Sequence, residues 1–327
     1  MNRTLGLACA VALLLPMPAF AWPPTKPRNF IYLGQDDLDK NLRILDRPDI
    51  AGVEVIYVWL SLEPRKDHYD FSMIEYDLAL TQARGKAMYI QVGDRFFHSG
   101  ARYVPRYLLD DPQYDGGLAR QAGTKLGPQM SGWVAQQWNP NLRQRFQALL
   151  KALARKFDGR IAGIILPETA IDLDKDAPPK GFTCDSYFNA ELENALMAKR
   201  AFRHSSVIQY ANFWPCDWAN SGGYMGRFFE FAAANHIGVG GPDIVPWQKA
   251  QMLNSYAFIR VYKDKVPVVA MSIQEPTLEY LNPETGKPYT RDEFERFASV
   301  YLGVDDIFWS PESPWLRDGE ADTKVSR

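Results

Sequence analysis

The chain has 327 residues, 46% of them apolar and 13% aromatic, with a formal net charge of −2 and a pI near 6.1. Without a basic excess there is no electrostatic footprint for nucleic acid or for an anionic membrane surface, so both are excluded as main partners. The length suits one large α/β domain or two medium ones, with ample residues for a full-sized core.

The N-terminus reads as a leader. Arg3 precedes the apolar run "LGLACAVALLL" (5–15), and "AFA" (19–21) supplies the small residues of a cleavage site. This is the layout of a secretory signal peptide, with an apolar core too short to span a bilayer. The expectation is a signal peptide over 1–21 and an exported, soluble mature chain over 22–327, periplasmic or secreted and monomeric, with no membrane span. Of the three cysteines, Cys9 leaves with the leader, and the even remainder in an oxidising compartment predicts a Cys184–Cys216 disulfide.

Beyond the leader, short apolar β-branched runs alternate with amphipathic stretches. The strand candidates are "FIYLG" (30–34), "GVEVIYVWL" (52–60), "AMYIQVG" (87–93), "IAGIILP" (161–167), "SVIQYAN" (206–212), "IGVGG" (237–241), "VPVVAMSI" (266–273) and "DDIFWS" (305–310). Between them fall "DLDKNLRILD" (37–46), a helix opened by the capping box "SMIE" (72–75) and closed by Gly85, and the amphipathic run 141–159. Helices near 186–203, 224–235 and 246–264 follow, and "TRDE" (290–293) opens one ending at Gly303. Eight strands, each followed by a helix, are the parts of a single (β/α)8 TIM barrel. The runner-up, an open doubly wound sheet, lacks its Gly-rich phosphate turn after the first strand. One connection is out of scale. Gly93 and Ile161 are separated by 67 residues, and the excess over 94–140 is expected to fold over the site.

Active sites of such barrels sit at the carboxyl ends of the strands. Reading just past each strand gives Glu63, Arg95, Glu168, Asn212 with Trp214, Asp243, Glu275 and Trp309. Glu168 in "ILPET" and Glu275 in "SIQEPTLEY" (272–280) end strands four and seven, across the mouth from one another. Two carboxyls facing across a pocket can cleave a glycosidic bond, about 5 to 5.5 Å apart for retention and roughly 6.5 to 9.5 Å for inversion. That chemistry keeps one carboxyl protonated and the other ionised, and Arg95, Asn212 and Gln274 are placed to hold the ionised one.

These carboxylates, with Trp309 in "IFWSP" (307–311), resemble the pattern of the clan A glycoside hydrolases, retaining (β/α)8 enzymes. The stretch "VIYVWLSLEPRKDHYDFSMIEYDLALTQARGKAMYIQV" (55–92) is similar to the second-strand region of their β-galactosidase-like members. The resemblance implies a hydrolase cleaving a polysaccharide or oligosaccharide with retention; the long third loop and the aromatics suggest a cleft with several subsites, hence endo-action. Glu168 would be the acid/base and Glu275 the nucleophile, with no cofactor. One position departs from the clan, which places Asn before the acid/base where this chain has Pro167; Asn212, Gln209 or Arg95 would then meet the sugar 2-hydroxyl.

The remaining candidates carry alternatives. Structural ion pairing is the alternative for Glu168 and for Glu275, with Glu279 standing one turn from Glu275. Glu63 reads as a loop or sugar contact, and Asp243 in "GVGGPDIVP" (238–246) as a substrate contact or a loop cap. Trp59, Trp214 and Trp309 are the sugar-binding candidates, the last two best placed to stack; for Trp59, as for Trp218 and Trp247, core packing is the expectation. The four scattered histidines give no zinc spacing, and only His98 lies in the long third loop. "IDLDKD" (171–176) lacks the glycine and distal Glu of a calcium loop, so no metal is expected. The rival function is a non-catalytic polysaccharide-binding barrel serving export or assembly.

Overall fold

A computed structural model describes residues 26–122, 132–174 and 176–317. The leader over 1–21 and the start of the mature chain at Trp22 lie outside the described residues. Eight parallel strands close into one barrel: β1 (Arg28–Tyr32), β2 (Ile50–Val58), β3 (Ala87–Gly93), β4 (Gly163–Leu166), β5 (Ser206–Tyr210), β6 (Gly238–Gly241), β7 (Val269–Ile273) and β8 (Asp306–Trp309). Each pairs with its sequence neighbours, and β8 closes on β1. All eight expected strands are present, and β3 has the expected bounds.

Strand alternation sorts the side chains into two cores. One set faces the barrel axis, where Phe30, Tyr89, Ile165, Ile208, Tyr210 and Phe308 pack together. The other set, including Ile31, Val53, Ile164, Val207 and Trp309, joins the larger core beneath the helices. Bare backbone makes room for the axial rings. A Cβ on Gly240 would meet the Ala270 carbonyl at 1.8 Å and the Tyr210 ring at 3.0 Å. At the amino end of the barrel Arg28 grips buried Asp306 through two bonds of 2.7 and 2.8 Å, and the Tyr89 hydroxyl donates to Asp306 at 2.7 Å. That end is closed by an ion pair; the opposite end is open.

Two helical details differ from expectation. The helix Ser72–Gln82 begins at Ser72, whose N–H bonds the Asp70 carboxylate at 3.0 Å, so no capping box forms there. The stretch 246–264 is two helices, Lys249–Leu253 and Ser255–Tyr262, broken at Asn254, whose amide bonds Ala250 and Ala219. The box at Thr290 and Glu293 forms as expected, and Gly303 ends that helical segment in the left-handed region. Cys184, at the head of the helix Cys184–Ala201, is joined to Cys216 in the loop after β5, with 6.1 Å between the Cα atoms. Among the described residues no helix is long and apolar enough to cross a membrane.

Candidate active site

The long connection after β3 folds back over the open end. Its segments Arg95–Phe96, Leu118–Arg120 and Trp133–Ala135 form a small antiparallel sheet. Phe96, Phe97, His98 and Tyr103 from this loop wall a cleft of about 360 Å³. Inward-facing residues of the strands make its base: Tyr32 of β1, Ile56 and Val58 of β2, Gln91 of β3 and Tyr210 of β5, with Pro167, Glu168, Pro242 and Gln274 just beyond their strands.

Glu168 lines this cleft and is half-buried. Its Oε2 accepts a hydrogen bond of 3.1 Å from Asn212 Nδ2, and Gln251 in turn donates to the Asn212 carbonyl oxygen. Burial pushes the Glu168 carboxyl from 4.5 up to about 7; the Asn212 bond and the Arg95 charge pull it down, and the negative charge of Asp243 adds to the rise. A carboxyl poised there is half protonated near neutrality, the condition for a general acid.

Arg95 is buried and fully engaged. Its guanidinium bonds Asp94 at 2.9 Å, Glu191 at 3.4 Å, the Tyr187 hydroxyl at 3.2 Å and the backbone carbonyl of Glu168. It fixes the main chain that carries Glu168. Gln209 is buried behind β4 and donates to the Pro167 carbonyl, so of the three groups weighed for the place of the missing Asn, Asn212 is the one at the Glu168 carboxyl.

Glu275 opens a single helical turn, Glu275–Leu278, and is exposed; its Oε1 accepts a 2.6 Å bond from Ser310 Oγ. The cleft is lined by its neighbour Gln274, which continues the inward alternation of β7. Asp243 is tied to the β7 loop by the Thr277 hydroxyl at 2.8 Å, and burial raises its carboxyl against that bond. The Tyr32 phenol connects these groups. Burial first, then the negative charges of Glu54, Asp243, Glu275 and Glu168, push it well above its ordinary range.

Of the nine candidates Arg95 and Glu168 line the cleft, Asn212, Asp243 and Glu275 stand beside it, and four are packed away from it. Trp59 is fully buried, packs on Phe146 at 5.2 Å and donates to Glu63 at 2.9 Å. Glu63 is fully buried and also accepts from Asp67 N and Arg145, so it is a structural ion-pair partner. Trp214 is buried against Phe188, and Trp309 donates to Asn29 at 2.8 Å on the outer side of β8. The corrections share a cause: a strand-end position does not say which face of the sheet a side chain takes. Conversely, Trp218 and Trp247, expected in the core, are 48% and 57% exposed.

Glu54 was missed by sequence reasoning. It is wholly buried on β2, and its Oε2 is hydrogen-bonded to the Tyr210 and Ser272 hydroxyls, each at 3.1 Å. The signal was present in "GVEVIYVWL", a lone acid inside an apolar strand with the inward parity of Ile56. Among the described residues no group of three or more His, Cys, Asp or Glu is arranged to hold a metal ion.

Compared with protein-family models and with curated proteins, the sequence matches none. Solved structures match in fold. The catalytic domain of a β-amylase from Paenibacillus polymyxa superposes with a TM-score of 0.56 at 7% identity, covering 86% of this chain and 92% of that one. Endo-glycoceramidase II from Rhodococcus sp. gives 0.53 at 12% identity, covering 90% and 77%. A β-galactosidase from Rahnella sp. R3 gives 0.51 at 11% identity, covering 88% of this chain and 51% of that one. At these identities the likeness is one of fold: the chain shares an eight-stranded parallel barrel with these proteins.

Proposed function

We propose that the protein is an exported, monomeric glycoside hydrolase that cleaves a polysaccharide or oligosaccharide within the chain and with retention. The observation that carries this reading is Glu168, a half-buried carboxyl lining the cleft at the end of β4, raised to about 7 and hydrogen-bonded by Asn212. In the first step Glu168 gives its proton to the glycosidic oxygen as the bond to the anomeric carbon breaks. The Glu275 carboxylate, held by Ser310, forms an ester to that carbon. In the second step Glu168 takes a proton from water, whose oxygen displaces Glu275 and restores the starting anomer. The barrels of the β-amylase, the endo-glycoceramidase and the β-galactosidase support a glycosidase on this fold.

A second reading is a polysaccharide-binding barrel without hydrolytic power. It is favoured by Gln274, rather than Glu275, lining the cleft, and by Pro167 in place of the clan's Asn. Reducing-end release from a polysaccharide panel separates the two, and proton NMR of the first product reports its anomer. Release with retention is expected. Binding to a polysaccharide without release would favour the second reading.

A further inference from the structure

Hydrolysis by two carboxyls makes no use of Glu54, yet this acid lies wholly buried under the cleft. Its Oε2, the Tyr210 hydroxyl and the Ser272 hydroxyl form a triangle with sides of 3.1, 3.1 and 2.9 Å. Three mutual hydrogen bonds need three protons, and the two hydroxyls bring only two. A carboxylic acid supplies the third, so that Glu54 donates to one hydroxyl, that hydroxyl to the other, and the second back to Glu54. The remaining oxygen, Oε1, is buried without a partner. An unpartnered carbonyl oxygen costs less than a buried carboxylate without a counter-charge.

The surroundings supply no counter-charge. Glu54 makes no ion pair among the described residues. The Tyr32 phenol of β1 feels its charge together with those of Glu168, Asp243 and Glu275, all acids. On β5 and β7 its neighbours are the Tyr210 and Ser272 hydroxyls; among the described residues Arg28 is bound to Asp306 at the far end and Arg95, at the cleft, to Asp94 and Glu191. Burial also raises the Glu54 carboxyl to about 8, against its two hydroxyl bonds.

We infer that Glu54 is carried as an uncharged carboxylic acid whose closed ring with Tyr210 and Ser272 makes it a positioning residue for Glu168. The path is short. The ring pins the Tyr210 side chain at its tip, and the Tyr210 backbone carbonyl accepts the N–H of Thr169, next to Glu168, at 3.0 Å. The positioning role rests on the glycosidase reading; the uncharged ring does not.

Infrared difference spectroscopy of the full chain at neutral pH tests the ring directly. Wild type minus Glu54→Gln is expected to show the carbonyl band of a protonated carboxyl, and only carboxylate bands there would overturn the inference. Should Glu54→Gln fail to fold, Ser272→Ala and Tyr210→Phe decide: a protonated-carboxyl band that shifts in both supports the ring, and one indifferent to both overturns it. In a cleavage assay Glu54→Gln, whose amide NH2 can donate to both hydroxyls and so keep the triangle closed, is expected to keep kcat within about threefold. Glu54→Leu is expected to lose about tenfold in kcat at similar KM, the scale of a small misplacement of a reacting group. Equal kcat in these two variants would remove the positioning role. The spectrum needs no substrate, so a protein that cleaves no glycan would fail the functional reading while the band still reported on the ring.

Discussion

Replacing Glu168 by glutamine is expected to change stability by an amount that depends on pH, and the structure gives both sign and size. The carboxyl stands at 4.5 in the unfolded chain and at about 7 in the fold, chiefly through burial. Between those values the unfolded chain has released a proton that the folded protein keeps. The folded state therefore binds more protons, and its stability falls as pH rises through this window. A rise of that size corresponds to on the order of 3 kcal/mol, an upper figure because the group is half-buried. Glutamine keeps an acceptor for Asn212 Nδ2 and cannot ionise. The variant should match wild type within about 0.5 kcal/mol near pH 4 and exceed it by about 2 to 3 kcal/mol near pH 8. Urea unfolding at a series of pH values measures the gap. A gap that stays constant across the series would refute the claim that Glu168 is held partly protonated by its surroundings.

Three further outcomes follow from named contacts. Reducing the Cys184–Cys216 bridge, which spans 32 positions, should lower stability by about 3 to 4 kcal/mol in the loop-entropy account, measured as urea midpoints with and without reductant. Arg145→Met strands the buried Glu63 carboxylate and should cost about 3 kcal/mol in the same assay; a loss below about 1 kcal/mol would mean that the charge is satisfied elsewhere. Asn212→Ala removes the hydrogen bond that favours ionised Glu168, so the alkaline limb of kcat/KM should move up by about one pH unit. A limb that stays put or moves down would separate Asn212 from the acid.

The barrel was legible because its strands are short β-branched runs between clear turns, and because their order needs no long-range information. Helix ends were less so. Asp70 takes the Ser72 N–H that Glu75 would accept in a capping box, and Asn254 breaks a helix through a bond to Ala219, a residue far away in sequence. At the site, strand-end position found Glu168, Asn212 and Asp243 near one cleft but misplaced the tryptophans. The alternation would have corrected this: Phe308 faces the axis, so Trp309 must face the helices, and Val58 faces the cleft, so Trp59 turns away. The same parity on β2 points Glu54 inward. Arg145, itself bonded to the Tyr107 hydroxyl, reaches Glu63 from 82 positions away, and no pattern local to Glu63 announces that pairing.

The central claim is that Glu168 and Glu275 together break a glycosidic bond. Reducing-end release from the polysaccharide that wild type degrades best, compared with Glu168→Gln and Glu275→Gln at matched folded concentration, tests it most directly. The account predicts a fall of about a thousandfold or more in both variants, the scale expected when a proton donor or nucleophile is removed. Release that survives either substitution would contradict the pairing of these two carboxyls.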